Sequence, residues 1–131
     1  MIPQDMVLEF YRAFNVDIGV TPDLSERTRD LLDLKFRLID EEVSELSKAL
    51  EIKDLVATAD ALGDLLYVTY GAAIAFGIDL DAVVEEIHRS NMTKLGEDGK
   101  SIHREDGKIL KGPNFEEPKL LDVFLHQKGL V

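Results

Sequence analysis

Asp60 and Asp64 stand four residues apart in DALGDLLYVTYGAAIAF, a stretch otherwise made almost entirely of apolar and small residues. At about 100° per residue they share one side of a helix, with Tyr67 and Gly71 continuing the column. A helix this apolar reads as one buried all round, so its carboxylates are expected to be at least partly enclosed. An unpaired carboxylate there costs several kcal/mol or stays protonated, so something must compensate it. Glu42 and Glu45, in DEEVSEL, form a second pair, in a column whose next members are Leu38 and Ala49. If the two helices fold back on each other near Ile52, the pairs face one another. Four carboxylates with no Arg or Lys in either turn cannot all ionise without a cation between them. An oxygen-only set suits Mg²⁺, or Mn²⁺, which bind through a few carboxylates together with substrate phosphates. A lone DEE run is an ordinary solvated face; the metal expectation rests on the joint pattern of Glu42, Glu45, Asp60 and Asp64.

A second group lies in HRSNMTK, where Arg89, Asn91 and Lys94 recur on one side of a helix end and offer donors to phosphate oxygens. Cations at a helix C-terminus also serve the dipole, which is the plainer reading of the same residues. Phe10, Phe14 and Tyr67 could stack on a base, although aromatics at helical spacing are more often core. No Walker loop, His-Glu-x-x-His pair or nucleophile motif is present.

These residues need helices to position them, and the 3.6-residue periodicity supplies four. The first spans about 4–14, with Met6, Val7, Phe10 and Phe14 as its apolar face. A linker with Gly19 and Pro22 leads to a second over roughly 25–50, striped by Leu32, Phe36, Ile39, Val43, Leu46 and Leu50. The third covers about 53–76 and closes on Gly77, a residue suited to a C-terminal cap. Asp79 reads as the N-cap of a fourth helix to about Met92, with Leu80, Val83, Val84 and Ile87 inward. Beyond Leu95 the chain turns rich in Gly, Pro and charge, and EDGK occurs twice, which predicts a hairpin or surface loop. The minority reading of that loop is a basic lid carrying Lys100, Arg104, Lys108 and Lys111. A short docking helix is expected over 120–126.

The chain of 131 residues is thus expected to be one all-α domain, with a helical core over about 4–94 and a loop and tail over 95–131. Its net charge of −11 argues against binding a nucleic-acid polymer, whose phosphates need clustered Lys and Arg. No apolar run is long enough to span a membrane, no signal-peptide order opens the sequence, and there is no cysteine for a disulfide or thiolate metal site, so a cytoplasmic address is expected.

LIDEEVSEL, DALGDLLYVTYGAAIAFGIDLDAV and EEIHRSNMTK, spanning about Leu38 to Lys94, make the sequence resemble the all-α nucleoside triphosphate pyrophosphohydrolases. That superfamily holds MazG, the dimeric dUTPases and phosphoribosyl-ATP pyrophosphohydrolase. Its signature, Glu-x-x-Glu, a spacer, then Glu-x-x-Asp, is met by Glu42, Glu45 and Asp64, while Ala61 stands where the third acidic ligand is usual and Asp60 is read as the substitute. The resemblance implies a four-helix bundle-type fold assembled as a dimer or higher oligomer. It implies Mg²⁺-dependent cleavage of a (d)NTP to monophosphate and pyrophosphate, a nucleotide-pool house-cleaning activity. In that scheme Glu41 orients or deprotonates the attacking water, and Arg89, Asn91 and Lys94 hold the leaving pyrophosphate. The alternatives are phosphoribosyl-ATP hydrolysis, or a catalytically weak nucleotide- or metal-binding module on account of Ala61.

Overall fold

The computed structural model describes residues 2–130 and is all-α apart from one two-stranded hairpin. In chain order the elements are α1 (Pro3–Ala13), α2 (Arg29–Glu51), α3 (Leu55–Ala75), α4 (Leu80–Met92), β1 (Ile102–His103), β2 (Ile109–Leu110) and α5 (Leu120–His126). They divide into two compact units, one running to Leu80 and rejoined by the tail from Lys128, the other spanning Asp81–Gln127. Among the described residues no single helix is long and apolar enough to cross a membrane.

In the first unit α2 and α3 form a helical hairpin, and α1 packs on α3. The reversal takes three residues, Ile52 to Asp54, with Lys53 in the left-handed region at φ 55°. Asp54 then caps α3 by accepting the Ala57 N–H at 3.0 Å. α2 starts later than periodicity predicts. Ser25 donates both its N–H and its hydroxyl to Asp23, which holds that segment as a turn, and Thr28 supplies the cap to Leu31 N. The core joins Val7, Leu8 and Tyr11 of α1 to Tyr70, Ile74 and Ala75 of α3 and to Leu130, with Val16, Ile18, Phe76 and Leu80 packed around it. Gly77 closes α3 at φ 75°, as its place in the sequence suggests.

Several faces differ from the sequence expectation. α1 turns Val7, Leu8 and Tyr11 inward and leaves Met6, Phe10 and Phe14 exposed. On α2 the sheltered side holds Lys35, Leu38, Glu42 and Ala49 together with Leu32, Ile39 and Leu46 of the expected stripe, whereas the stripe's other members, Phe36, Val43 and Leu50, face out. α3 is not buried all round: its second half, Tyr70–Ala75, is enclosed, but Leu55, Val56, Leu62 and Leu66 are exposed. The reason is geometric, since α1 covers only the C-terminal half of α3 and α2 covers one side of it.

The second unit wraps residues 112–119 along α4. Gly112 N donates to the Lys94 carbonyl, Ser90 Oγ to the Glu116 carbonyl, Glu116 N to Thr93 Oγ1 and Lys119 N to Glu86 Oε1. Val83 and Ser90 are buried there, but Val84 and Ile87, expected inward, are exposed. The second EDGK forms the hairpin turn, pairing Ile102 with Leu110 and His103 with Ile109 around Gly107 at φ 89°.

Candidate functional site

The two carboxylate pairs come together through the α2–α3 hairpin. Glu42 is half-buried, and its Oε2 is enclosed with no hydrogen-bond partner among the described residues. Burial, then the charges of Asp64, Glu45, Asp60 and Glu41, push its carboxyl above the ordinary carboxylate range. The charges of the other three expected ligands thus reach Glu42. Glu45, Asp60 and Asp64 are exposed in the single chain, which corrects the expectation that the aspartates are enclosed. Among the described residues no three acidic or histidine side chains stand in an arrangement that could already hold a metal ion.

The donor set nonetheless fits a hard divalent ion. It is all oxygen, it stands on two packed helices, and its most sheltered member carries a buried, unpartnered acceptor of the kind a cation satisfies. Ala61 is only 2% exposed, on the inner side of α3, while its neighbour Asp60 is exposed about 100° around the helix. Asp60 therefore approaches the cluster from outside rather than from the position it replaces. Glu41 is exposed next to Glu42.

In the second unit, Asn91 and His88 are exposed and Lys94 is half-buried. Arg89 is already engaged: its Nε and Nη2 fork onto Glu86 at 2.7–3.1 Å, and Nη1 lies 3.7 Å from Glu116. The fork, then the Lys119 N–H, hold the Glu86 carboxyl down at about 2. Arg89 would have to give up part of this fork to reach a phosphate. The lid residues are partnered locally: Arg104 with Asp106, and Lys111 with Glu117 at 3.3 Å while its ammonium sits 4.6 Å from the centre of the Phe115 ring. Lys108 closes the hairpin turn with its backbone, donating N–H to Asp106 and accepting from Arg104 N.

The three aromatics named for base stacking do meet. Phe10 stacks on Phe14 at 4.3 Å and meets Tyr67 edge-on at 5.8 Å. Behind Phe10 and Tyr67 lies a cavity of about 380 Å³, lined also by Tyr11, Val16, Leu34, Lys35, Leu38, Val68 and Gly71. Lys35 and Tyr11 are among the members that the sequence reading does not single out. Lys35 is buried and donates to the Tyr11 hydroxyl at 2.6 Å. A lysine on a helix is normally solvated, so its type concealed it; its place four and seven residues before Ile39 and Glu42 was the available signal. Burial lowers the Lys35 pKa and, with a smaller contribution from Tyr67, pushes the Tyr11 phenol up to about 12.

The family profile described as phosphoribosyl-ATP pyrophosphohydrolase matches residues 7–91 of this chain. An uncharacterized protein of Acanthamoeba polyphaga mimivirus is 50% identical over 48 residues, 37% of this chain and 19% of the length of that protein.

Proposed function

The chain belongs to the phosphoribosyl-ATP pyrophosphohydrolase family, within the MazG-like pyrophosphohydrolases, and on that premise we propose that it is a metal-dependent nucleoside triphosphate pyrophosphohydrolase. The reaction adds water across the α–β anhydride of a (d)NTP and releases the monophosphate and pyrophosphate. The observation that carries this reading is the sheltered, unpartnered Oε2 of Glu42, surrounded by the charges of Asp64, Glu45 and Asp60. Glu42, Glu45, Asp60 and Asp64 would hold Mg²⁺, or Mn²⁺. When bound, the ion supplies positive charge against the triphosphate and an acidified water.

The other roles belong to the chain's own residues. Glu41, exposed beside Glu42, orients the attacking water and takes its proton. Within the second unit, Arg89, Asn91 and Lys94 are the proposed phosphate donors. The exposed apolar residues of α2 and α3, among them Phe36 at 68% and Leu55 at 81%, support a homo-oligomer in which a second copy covers them. A housekeeping role against unwanted nucleotides fits this chemistry.

Pyrophosphate release tests the proposal, using dNTPs, NTPs and phosphoribosyl-ATP with Mg²⁺ or Mn²⁺, beside Glu42→Gln and Asp64→Asn. Release is expected from the parent and should fall at least about a hundredfold in both variants, in the range of losing a strong electrostatic stabiliser of the reaction. Mg²⁺ should also raise the melting temperature of the parent but not of the variants. Equal release by all three proteins would refute the site. Turnover confined to phosphoribosyl-ATP would replace the nucleotide triphosphate as substrate.

A further inference from the structure

Lys35 is 5% exposed, yet no carboxylate pairs with it among the described residues, and its one hydrogen bond runs to the Tyr11 hydroxyl. Its ammonium lies 4.7 Å from the centre of the Tyr11 ring, a cation–π contact that offsets only part of the cost of burial. An ammonium carries three N–H donors, so two are left over. Tyr11 adds a hydroxyl proton of its own, because the Lys35 bond uses its oxygen as acceptor. The rest of the cavity wall is apolar or aromatic: Phe10, Val16, Leu34, Leu38, Tyr67 and Val68. The pocket is therefore oily, with donors and a positive charge at one place.

Such a pocket selects its occupant by chemistry. It favours a planar ring that stacks on aromatic side chains and presents an oxygen acceptor to Lys35. It disfavours a free phosphate, which would surrender its hydration to apolar walls. Its position adds a constraint. Leu38 lines the cavity one helical turn, about 6 Å, before Glu42, and Tyr67 lines it three residues after Asp64. A ring bound here would point its substituent along the two helices toward the carboxylate cluster. We propose that this cavity is the base subsite and that Lys35 reads an exocyclic carbonyl, so that hypoxanthine, guanine or uracil is preferred over adenine. The inference rests on the nucleotide reading above. Adenine would set an amino group against the Lys35 donors, leaving both unpaired, and sites built around a hydrogen bond reject such partners strongly.

The pair dITP and dATP differs mainly in this carbonyl and isolates it. Turnover of both is measured with Mg²⁺ for the parent chain, Lys35→Met and Lys35→Gln, and dIMP and dAMP binding to the metal-free full chain is measured by calorimetry. The parent should favour the inosine nucleotides by about ten- to a hundredfold. Lys35→Met should erase that preference by losing dITP turnover and dIMP binding, with no matching loss in the adenine values. Lys35→Gln, which keeps a neutral donor, should fall between. Lys35→Met should melt no lower than the parent, since it removes a buried charge. Equal loss on both bases, an unchanged preference, or displacement of dIMP by inorganic phosphate would overturn the subsite. Selective dIMP binding without turnover of any triphosphate would overturn the hydrolase reading and leave the subsite standing.

Discussion

Gly71→Ala probes the contact on which the α1–α3 packing and the cavity both depend. A Cβ built at position 71 runs into the Tyr11 hydroxyl and lies 3.2 Å from the ring carbon that bears it. The ring cannot simply yield, because Tyr11 is buried in the core and its hydroxyl accepts the Lys35 hydrogen bond. Overpacking of this kind costs about 1–3 kcal/mol. Displacing the hydroxyl also weakens a hydrogen bond to a charged donor, about 1.5–3 kcal/mol. Against these, alanine gains about 1 kcal/mol over glycine inside a helix. The net expectation is a loss of about 1.5–5 kcal/mol, read by urea denaturation with far-UV circular dichroism and tyrosine fluorescence. The decisive comparison is the double variant. In a Tyr11→Phe background the severe clash is gone and only the milder approach to the ring carbon remains, so Gly71→Ala should come within about 1 kcal/mol of neutral. If Gly71→Ala is neutral or stabilising in the parent, or costs the same in both backgrounds, Tyr11 is not wedged between Gly71 and Lys35 and the packing argument fails.

Two further outcomes follow from the charge and surface chemistry. The Glu86 carboxyl, held at about 2 against an ordinary 4.5, contributes stability to the second unit that is complete above about 4.5 and is lost as pH falls toward 2. Hydrogen exchange at the Lys119 amide should therefore lose protection across that window, and Glu86→Gln should lower protection near neutrality and flatten the dependence; an unaltered profile in the variant would assign the effect elsewhere. Phe36→Lys places charge on the outward stripe of α2 while touching little within the chain, so it should reduce an oligomeric mass in light scattering to that of one chain with the monomer's fold intact. An unchanged mass would remove α2 from the interface.

Much of the architecture was legible because helices announce themselves by period. The segments around α1 to α5, the reversal near Ile52, the Gly77 cap and the EDGK turn all follow from local rules that need only neighbouring residues. The candidate ligands were legible for the same reason: Asp60 with Asp64, and Glu42 with Glu45, share helical columns whatever packs against them. The start of α2 departs from its periodicity because Asp23 and Thr28 take up the backbone before it through side-chain hydrogen bonds, which hydropathy does not register.

What the sequence determined by itself is thus the set of helices, their columns and the carboxylate pairs, all consequences of short-range geometry. Tertiary structure decided which column meets which. α2 shelters Lys35, Leu38, Glu42 and Ala49 along with Leu32, Ile39 and Leu46, and leaves Phe36, Val43 and Leu50 outside. Hydropathy alone would turn Phe36, Val43 and Leu50 inward and Lys35 out, because it weighs each helix separately. The fold weighs the whole packing, in which Gly71 on α3 leaves room for the Tyr11 hydroxyl that accepts from Lys35, and Glu42 is held facing the aspartates across the hairpin against their repulsion. That one rotation of α2 buries a lysine beside a cavity and shelters a carboxylate oxygen, none of which periodicity can specify.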